Sequence, residues 1–482
     1  MSESQGLLAR IAALRQRLEQ AQGILRDAAA SVEESQAANL AEQLAAEVAA
    51  AARAQHRLDR AMRQIGAEPS GDEAIHPDRL VGRARRLLRR CQDMIAELRR
   101  LTDESPIEFE TDDPLALGIQ QTVSMVEAAV RFVQAFPNAP SSQLRLCSGL
   151  SGFLAAIGER VQALSRARAE RRRDAERIDN LAHWLDAIHA GRAISPQPLA
   201  ALAAEIIQDA RIGRPLRFLM PGSPAEERWL LRHVAAHSLT VAAVLARIAR
   251  GHDDIAPIIE GLIVAALIHD VGVLSVPREI MAHPGPLTDE QKRVIEQHAQ
   301  QGAERIQTAL GDLPGLADAV LHHHERLDGS GYPAGLVGAA IPPAARWLAV
   351  ADVYAALACQ RPHRAAADPR TALTETLLLA EHGALDRSAA ERLLELAFYP
   401  VGTVVELSNG SIGRVVAVHP PHADLHAPAR PIVQVLTDEE GVFLPRPETL
   451  DLAQCDGWAV VRAVPTAQRR RILSARYPEW AA

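Results

Sequence analysis

The stretch that decides the fold runs from Gly261 to Gly272 and reads Gly-Leu-Ile-Val-Ala-Ala-Leu-Ile-His-Asp-Val-Gly. Its apolar part ends at Ile268 and is far shorter than the roughly 20 residues that cross a bilayer, so it predicts a buried helix of a water-soluble core. His269 and Asp270 follow at once, and a buried carboxylate without a partner costs several kcal/mol. The stretch therefore predicts a polar site at the end of a core helix.

Other polar residues stand next to apolar runs in the same way. His323 and His324 follow the apolar run that ends at Leu321, and Asp352 follows the run Trp347 to Ala351. His237 and His298 complete a set in which ten of the chain's 18 histidines fall between His233 and His363. A lone histidine of this kind is more often a satisfied core residue, but seven candidates in this order favour a common site.

The residue types in this set point to a metal centre. Histidine and carboxylate ligands without cysteine favour iron, manganese or zinc in a hydrolytic site over a structural zinc. The four cysteines of the chain lie far apart and form no Cys-x-x-Cys pair, which excludes a cysteine zinc site. Two cations about 3.5–4 Å apart in such a site can together activate a water molecule for attack on a substrate.

The motifs resemble those of a known family across residues 226 to 395. They are His269-Asp270-Val-Gly272, the run His323-His324-Glu-Arg-Leu-Asp-Gly-Ser-Gly-Tyr-Pro333, and Ala351-Asp352-Val. They are similar to the HD-GYP phosphohydrolases, a branch of the HD superfamily that hydrolyses the bacterial second messenger cyclic di-GMP. The resemblance implies an all-α HD-type domain with two divalent metal ions, iron or manganese.

The resemblance also implies a role for individual residues. It implies that one metal is held by His237, His269, Asp270 and Asp352, and that Asp270 bridges to a second metal held by His298, His323 and His324. Substrate-binding positions carried over in this way are Gly331, Tyr332, Arg361 and Arg364. For the two arginines, a surface ion pair stays open as an alternative. The Gly-Tyr-Pro segment is further implied to contact a diguanylate cyclase partner.

Three positions depart from the family pattern. Val273 stands where a lysine is usual, Ala355 replaces a second aspartate, and His233 replaces a glutamate found in members with a third metal. Losing one charge-assisted contact of about 1.5–3 kcal/mol lowers a rate roughly tenfold to a hundredfold. His233 lies one helical turn before His237 and stands as an extra ligand, a support for a ligand, or a solvated residue. We expect two metals, not three.

Three functions follow, and the sequence ranks them. The first is a metal-dependent phosphodiesterase that opens cyclic di-GMP to the linear dinucleotide and carries it on to GMP. The second is a catalytically weak or inactive effector that binds cyclic di-GMP or a diguanylate cyclase partner, a hypothesis motivated by Val273 and Ala355. The third is a hydrolase of another nucleotide, and the Gly-Tyr-Pro loop weighs against it.

The whole chain is predicted to be mainly α. We predict a coiled-coil-like helical segment at 1–66, a helical regulatory region at 75–220, the HD-GYP domain at 223–395, a small antiparallel β domain at 400–452, and a C-terminal tail at 453–482. Ser223, Pro224 and Glu226 form a capping-box pattern that marks the start of the HD-GYP domain. Asn409-Gly410 between β-branched runs predicts a hairpin. The heptad-like apolar spacing of 1–66 indicates either within-chain packing or a homodimer.

Charge and composition exclude some partners. With 52 basic against 60 acidic residues the formal charge is −8, which argues against a DNA-binding surface. The arginine-rich run Arg166 to Arg177 alternates with other residues and is predicted to be a solvated helix face. No leader pattern or membrane-spanning run is evident, so we expect a cytoplasmic protein with no membrane contact.

Overall fold

The computed structural model describes most of the chain from residue 140 onward. The described ranges are 140–219, 227–252, 255–283, 285–311, 315–359, 369–396, 401–419, 429–455 and 457–473, with single positions at 313, 367, 399 and 477 and scattered helical positions between 86 and 128. The predicted coiled-coil segment 1–66 and the capping box at Ser223–Glu226 lie outside the described residues.

The described part is mainly helical and ends in a small antiparallel sheet, which confirms the predicted fold class. The chain divides into two compact units: residues 173–465 form one, and residues 1–172 together with 466–482 form the other. All seven predicted metal ligands lie in the unit 173–465.

The described helices range from 4 to 50 residues in length. They are α1 (Pro140–His189), α2 (Gln197–Arg211), α3 (Trp229–Ile248), α4 (Ile259–Ile268), α5 (Arg278–Met281), α6 (Asp289–Glu296), α7 (His298–Leu310), α8 (Leu316–Leu321), α9 (Pro343–Ala358), α10 (Pro369–Glu381), α11 (Arg387–Glu391) and α12 (Thr466–Leu473). A 3₁₀ turn, Val271–Ser275, follows α4.

Helix α4 is the centre of the core. It is apolar on all sides, and every residue from Leu262 to Ile268 is buried. Helices α2, α3 and α8 pack around it. Two segments, Trp229–Ile248 and Ala256–Ser275, are long and apolar enough to cross a membrane, but 72% and 61% of them are buried inside the protein. Their apolar surface is thus covered by neighbouring helices.

The compact unit begins earlier than the predicted domain start at 223. The C-terminal part of α1 and the whole of α2 place Ile178, Leu185, Leu199 and Ile206 in the same core as α3 and α4. Part of the predicted regulatory region 75–220 is therefore structural support for the motif-bearing helices. Amphipathic spacing revealed these helices, but it could not reveal which core their apolar faces join.

The arginine-rich run is not simply a solvated face. Arg173 and Arg177, both on α1, donate to Asp209 on α2 at 3.1 and 2.9 Å. Arg177 also donates to Glu205 at 2.9 Å. At this end of the run the arginines join the two helices through ion pairs.

The β domain is a five-stranded antiparallel sheet in the order β4-β3-β2-β1-β5. Its strands are β1 (Val404–Leu407), β2 (Ile412–Ala417), β3 (Ile432–Thr437), β4 (Phe443–Asp451) and β5 (Val460–Ala463). The predicted hairpin joins β1 and β2, with Gly410 at a φ of 88° and its N–H donating to Leu407 O at 2.8 Å. A positive φ is the conformation that glycine tolerates best.

The sheet extends beyond the predicted end at 452. Strand β5 pairs with β1, with Val405 opposite Ala463, and α12 follows it, so the predicted tail 453–482 contains regular structure. Strand β4 carries Pro445 and Pro447, which disfavour a strand assignment. Because β4 is an edge strand, one side of it makes no ladder hydrogen bonds and prolines are tolerated there.

Candidate metal centre

Helix ends bring most of the predicted ligands to one place. His269 and Asp270 follow α4, His298 is the first residue of α7 directly after α6, and His323 and His324 follow α8. His237 and Asp352 lie inside α3 and α9. The motifs, which are far apart in sequence, thus meet within the helical core.

Three of the histidines are fixed by the helix ends that precede them. Nδ1 of His269, His298 and His323 lies 2.9, 2.6 and 2.5 Å from the carbonyl oxygen three residues earlier. Carbonyls in the last turn of a helix lack an intrahelical partner, and an imidazole N–H supplies one. Each ring is thereby held with Nδ1 protonated and Nε2 facing the site, the tautomer that a metal-ligating histidine needs.

The side chains form two groups whose ligand atoms lie within 4.8 Å of one another. One group is Asp270, His298, His323 and His324, and the other is His237, His269 and Asp352. The structure therefore brings together all seven predicted ligand residues.

Asp270 stands between the two groups. Its Oδ1 lies 3.3 Å from His298 Nε2 and 3.7 Å from His323 Nε2. Its Oδ2 lies 3.4 Å from His269 Nε2 and 3.7 Å from His237 Nε2. One carboxylate oxygen thus faces each group, which is the arrangement that a bridging ligand requires.

Asp352 joins His237 and His324. Its Oδ1 lies 2.9 Å from His237 Nε2, and its Oδ2 lies 3.9 Å from His324 Nδ1. Burial opposes charge on His237, but the hydrogen bond to Asp352 outweighs it and raises the pKa of His237 to about 9. Burial likewise opposes charge on Asp352, yet the hydrogen bond from His237 lowers the pKa of Asp352 far below its usual range. A cation that binds here must displace the proton they share.

Three of the remaining groups have charge states that suit a metal at neutral pH. Burial, ahead of the opposing attraction of Asp270, lowers the pKa of His269 to about 4. Burial and the neighbouring His323 lower the pKa of His324 well below its usual value. Burial would raise the pKa of Asp270, but His269 and hydrogen bonds from His298 and His323 hold it well below the usual value.

His298 differs from these groups. Burial opposes charge on His298, but the hydrogen bond to Asp270 outweighs it and raises the pKa of His298. A cation that binds beside Asp270 must therefore displace a proton from His298.

The Nε2 atom of His269 gives a separate test of whether a metal fits this site. Among the described residues, Nε2 of His269 has no hydrogen-bond partner although the residue is fully buried. An unsatisfied buried polar atom costs about 1–3 kcal/mol. Because this atom faces Asp270 and Asp352, a divalent cation between them would satisfy it. The residues therefore fit a metal pair.

Gly272 allows the two groups to come close. A Cβ atom at this position would lie 2.0 Å from His298 O and 2.8 Å from Gly302 N, so the 3₁₀ turn and α7 touch backbone to backbone. Any larger residue would separate His269 and Asp270 from His298. The glycine of the His-Asp-x-Gly motif thus has a steric role.

A buried carboxylate fixes the loop that follows the histidine pair, residues 328–337, hereafter the GYP loop. Glu325 is 2% exposed, and its Oε1 and Oε2 accept hydrogen bonds from Ala334 N at 2.7 Å and Leu336 N at 2.9 Å. Gly331 lies against the backbone of residues 324–326, where a Cβ would be 2.4 Å from Arg326 N. The loop is thereby held onto the helix end that carries His323 and His324.

Tyr332 forms one wall of the site. Its ring stacks on His324 with centroids 4.7 Å apart and meets His298 edge-on at 6.3 Å. Its N–H donates to His324 O at 3.2 Å. Burial and the charges of Asp270 and Asp352 raise the pKa of the Tyr332 phenol, so the phenol stays neutral beside the ligands.

Of the three positions that depart from the family pattern, two are buried apolar residues and the third lies outside the ligand groups. Val273 is 5% exposed and Ala355 is fully buried, and both pack in the helical core. His233 packs its ring against Trp229 with centroids 4.9 Å apart, and among the described residues it belongs to neither ligand group. Arg361 and Arg364 lie outside the described residues.

The sequence analysis gave no role to Glu325. A signal was present, because a carboxylate between a histidine pair and a glycine-rich loop can accept hydrogen bonds from the backbone N–H groups of that loop.

Comparisons with known proteins agree with this geometry. Residues 225–388 match the family model of the HD domain, and residues 404–471 match that of the KOW domain associated with HD domain. The second match covers the sheet, including the strands that the sequence analysis missed.

Several characterised proteins are similar to the helical part. Cyclic di-GMP phosphodiesterase PA4108 of Pseudomonas aeruginosa is 35% identical over 185 residues, which is 38% of this chain and 44% of that protein. The cyclic di-GMP phosphodiesterase response regulator RpfG of Xanthomonas campestris is 43% identical over 103 residues, or 21% and 27% of the two chains. The 3'3'-cGAMP-specific phosphodiesterase 1 of Vibrio cholerae is 38% identical over 128 residues, or 27% and 30%. The chain spans less than half the length of these relatives.

Proposed function

Because residues 225–388 form an HD domain of the HD-GYP type, we propose that this protein is a metal-dependent phosphodiesterase that hydrolyses cyclic di-GMP. The proposed products are the linear dinucleotide and then GMP, and the proposed role is in bacterial second-messenger signalling. Three relatives act on 3'3'-cGAMP according to their names, so the wider proposed substrate class is the cyclic dinucleotides.

The position of Asp270 carries this proposal. Its two oxygens face separate histidine groups at 3.3–3.7 Å, so one carboxylate can serve two cations. We propose that the ions are iron or manganese, the metals that histidine and carboxylate donors suit in hydrolytic sites. When bound, such cations offset the negative charge of a phosphodiester and make water acidic enough to attack near neutral pH.

The chain's own residues supply orientation and shape. The helix-end hydrogen bonds fix three imidazoles before any ligand arrives, so little ordering remains to be done on binding. Tyr332 presents a neutral aromatic wall next to His324, and a guanine base can stack on such a surface. We further propose that Arg361 and Arg364 contact the phosphates of the substrate, as the family resemblance implies.

Turnover measured on metal-loaded protein tests the proposal. Protein purified without oxygen and loaded with Mn²⁺ or Fe²⁺ is incubated with cyclic di-GMP and, in parallel, with 3'3'-cGAMP, and products are separated by chromatography. We expect linear dinucleotide from wild type and none above background from His269→Ala. Equal product from both proteins would refute a role for this site. Hydrolysis of 3'3'-cGAMP alone would replace cyclic di-GMP by 3'3'-cGAMP as the substrate.

A second candidate is an effector that binds the nucleotide but hydrolyses it slowly. The observation that favours it is the buried, apolar Val273, which offers no charge to a phosphate. Val273→Lys should raise turnover by about tenfold to a hundredfold if a missing phosphate contact limits the rate. Val273→Met controls for side-chain length without charge. Tight binding by wild type with no turnover, and turnover in Val273→Lys alone, would favour the effector.

The proposed partners are a diguanylate cyclase and a second copy of the chain. We propose that the GYP loop contacts the cyclase, and that the predicted helical segment 1–66 pairs two copies of the chain. Both described cysteines, Cys359 and Cys455, are free thiols, which supports a reducing compartment such as the cytoplasm. Light scattering of the full chain, compared with a chain lacking 1–66, tests the proposed homodimer.

A further inference from the structure

The position of His298 relative to Asp270 depends on where α7 lies. The His298 ring is already oriented, because its Nδ1 lies 2.6 Å from Ile295 O at the end of α6. His298 is also the first residue of α7, and its Nε2 lies 3.3 Å from Asp270 Oδ1. A shift of α7 against the turn that follows Asp270 would therefore change that distance.

The turn Val271–Ser275 is held to α7 at two points. Near its start Gly272 lies against α7, where a Cβ on Gly302 would be 3.3 Å from Gly272 N. At its end, the Arg305 guanidinium donates to Ser275 Oγ at 3.2 Å. Gly302 and Arg305 are three residues apart, so they lie on one face of α7 in successive turns. The second attachment is thus a side-chain hydrogen bond, whereas the first is a packing contact.

The same guanidinium reaches the end of α1. Gly191, at a φ of 68°, closes this helix, and the N–H groups of residues 190–192 donate to the carbonyls of residues 186–188. The next carbonyl, His189 O, accepts a hydrogen bond from Arg305. Carbonyls in the last turn of a helix lack intrahelical partners, and a nearby arginine can supply the missing donor.

The connection between α1 and α7 is reciprocal. Ile194, in the segment after α1, donates its N–H to Ala309 O at 3.0 Å, and Ala309 lies in the last turn of α7. Arg305 is half-buried, and within the described part of the chain it donates to two uncharged acceptors, His189 O and Ser275 Oγ. One guanidinium can serve both because it carries five N–H donors in a fixed fork. Arg305 therefore joins α1, α7 and the turn.

We infer that Arg305 is a positioning residue of the metal centre: it holds α7 against the turn after Asp270 and against the end of α1, and so sets the distance between His298 and Asp270. The end of α1 thereby supports the ligand group that contains His298, although α1 itself carries no ligand. This inference rests on the metal centre of the proposed function but not on turnover of any nucleotide.

Mn²⁺ affinity measures this role. Metal-depleted full-length protein is titrated with Mn²⁺, and free Mn²⁺ is followed by electron paramagnetic resonance. Removing a direct partner of a metal ligand weakens metal affinity about 10- to 100-fold. Arg305 acts through α7 and not on the imidazole itself, so in Arg305→Ala we expect a loss of about tenfold for one Mn²⁺ equivalent. The affinity of the other equivalent should change by less than about twofold.

Two further variants separate the hydrogen bonds from the charge. Ser275→Ala removes only the bond to the turn, and we expect a loss of about threefold for the same equivalent. Arg293→Ala is the matched control, because Arg293 lies on α6 five positions before His298 and forms an exposed ion pair with Glu290 at 3.1 Å. It removes the same charge, and its Mn²⁺ affinity should stay within about twofold of wild type.

A double-variant cycle shows whether the effect passes through His298. In a His298→Ala background, the further change Arg305→Ala should alter the remaining Mn²⁺ affinity by less than about twofold, because the ligand that it positions is gone. A residue that only stabilised the fold would lower the affinity equally in both backgrounds. Thermal unfolding of each metal-free variant monitors folding, and Ser275→Ala, at an exposed side chain, decides the question if Arg305→Ala does not fold.

Three results would overturn the inference while leaving the metal centre intact. They are wild-type affinity in the folded variant, an equal loss with and without His298, and a loss in Arg293→Ala as large as in Arg305→Ala. Absence of Mn²⁺ binding in wild type would overturn the metal centre together with this inference. The expected losses of affinity without nucleotide turnover would support the inference and overturn only the proposed activity.

Discussion

The two groups of ligands are built in different ways. In the inner group, His237, His269 and Asp352, two residues lie within helices α3 and α9 and only His269 borders a helix end. In the outer group, His298, His323 and His324, every residue borders a helix end, and their support includes a glycine contact and a loop anchor. Helix packing thus fixes most of the inner group, whereas the outer group depends on backbone contacts at helix ends. Asp270 belongs to both.

The largest effect should come from the residue that the two groups share. Asp270→Asn keeps the shape of the side chain but removes its charge, so neither group keeps a full donor set. Loss of several kcal/mol of charge stabilisation corresponds to a fall in cyclic di-GMP turnover of about a thousandfold or more. Steady-state kinetics measures it, and a fall of less than about tenfold would contradict a bridging role.

A change at Gly272 should disturb the outer group while leaving the inner group in place. In Gly272→Ala the new Cβ would lie 2.0 Å from His298 O, and relief of such overpacking costs about 1–3 kcal/mol. We expect one metal equivalent to be lost along with stability in thermal unfolding.

Gly261→Ala is the matched control for Gly272→Ala. Gly261 lies on α4, the helix that precedes the turn of Gly272, and a Cβ there would meet nothing within 4 Å. Alanine in a helix stabilises by up to about 1 kcal/mol relative to glycine. If both variants lose metal equally, the close approach of the turn and α7 is not what positions His298.

A smaller effect is expected at the loop anchor. Glu325→Gln leaves one of the two N–H groups of Ala334 and Leu336 without an acceptor, at a cost of about 1–3 kcal/mol. Because the loop carries Tyr332 and no metal ligand, KM for cyclic di-GMP should rise more than kcat falls. Unchanged KM with reduced metal content would instead mean that Glu325 supports His323 and His324.

The smallest effect is expected in the β domain. Arg462 and Glu406 form a partly exposed ion pair between β5 and β1, with a separation of 2.6 Å. Pairs of this kind contribute about 0–1 kcal/mol, so Arg462→Ala should leave metal content and turnover unchanged. A clear loss of turnover would show that the sheet takes part in catalysis.

The sequence predicted the metal ligands better than the contacts that hold those ligands in place. The seven ligands could be named because each is a polar residue bordering an apolar run in a recognisable order. The capping of three helix ends by His269, His298 and His323 could not, since it depends on where α4, α6 and α8 stop. Helix boundaries predicted from sequence alone are uncertain by about two to four residues.

Long-range contacts were the least predictable part of the fold. Arg392 donates to Ile248 O across 144 positions of sequence, and neither residue's neighbours indicate the other. Strand β5 was missed because its four residues have meaning only when paired with β1. The prolines of β4 hid a strand that its edge position makes possible. In each case a distant partner, and not the local pattern, determines the structure.

The measurement that tests the central claim most directly is the number of metal ions per chain. Protein purified without oxygen and analysed by mass spectrometry of its metals should hold two ions in wild type, about one in His298→Ala, and neither in Asp270→Asn. Such a series would show two groups joined by one carboxylate. Wild-type metal content in Asp270→Asn, or no bound metal in wild type, would contradict the account.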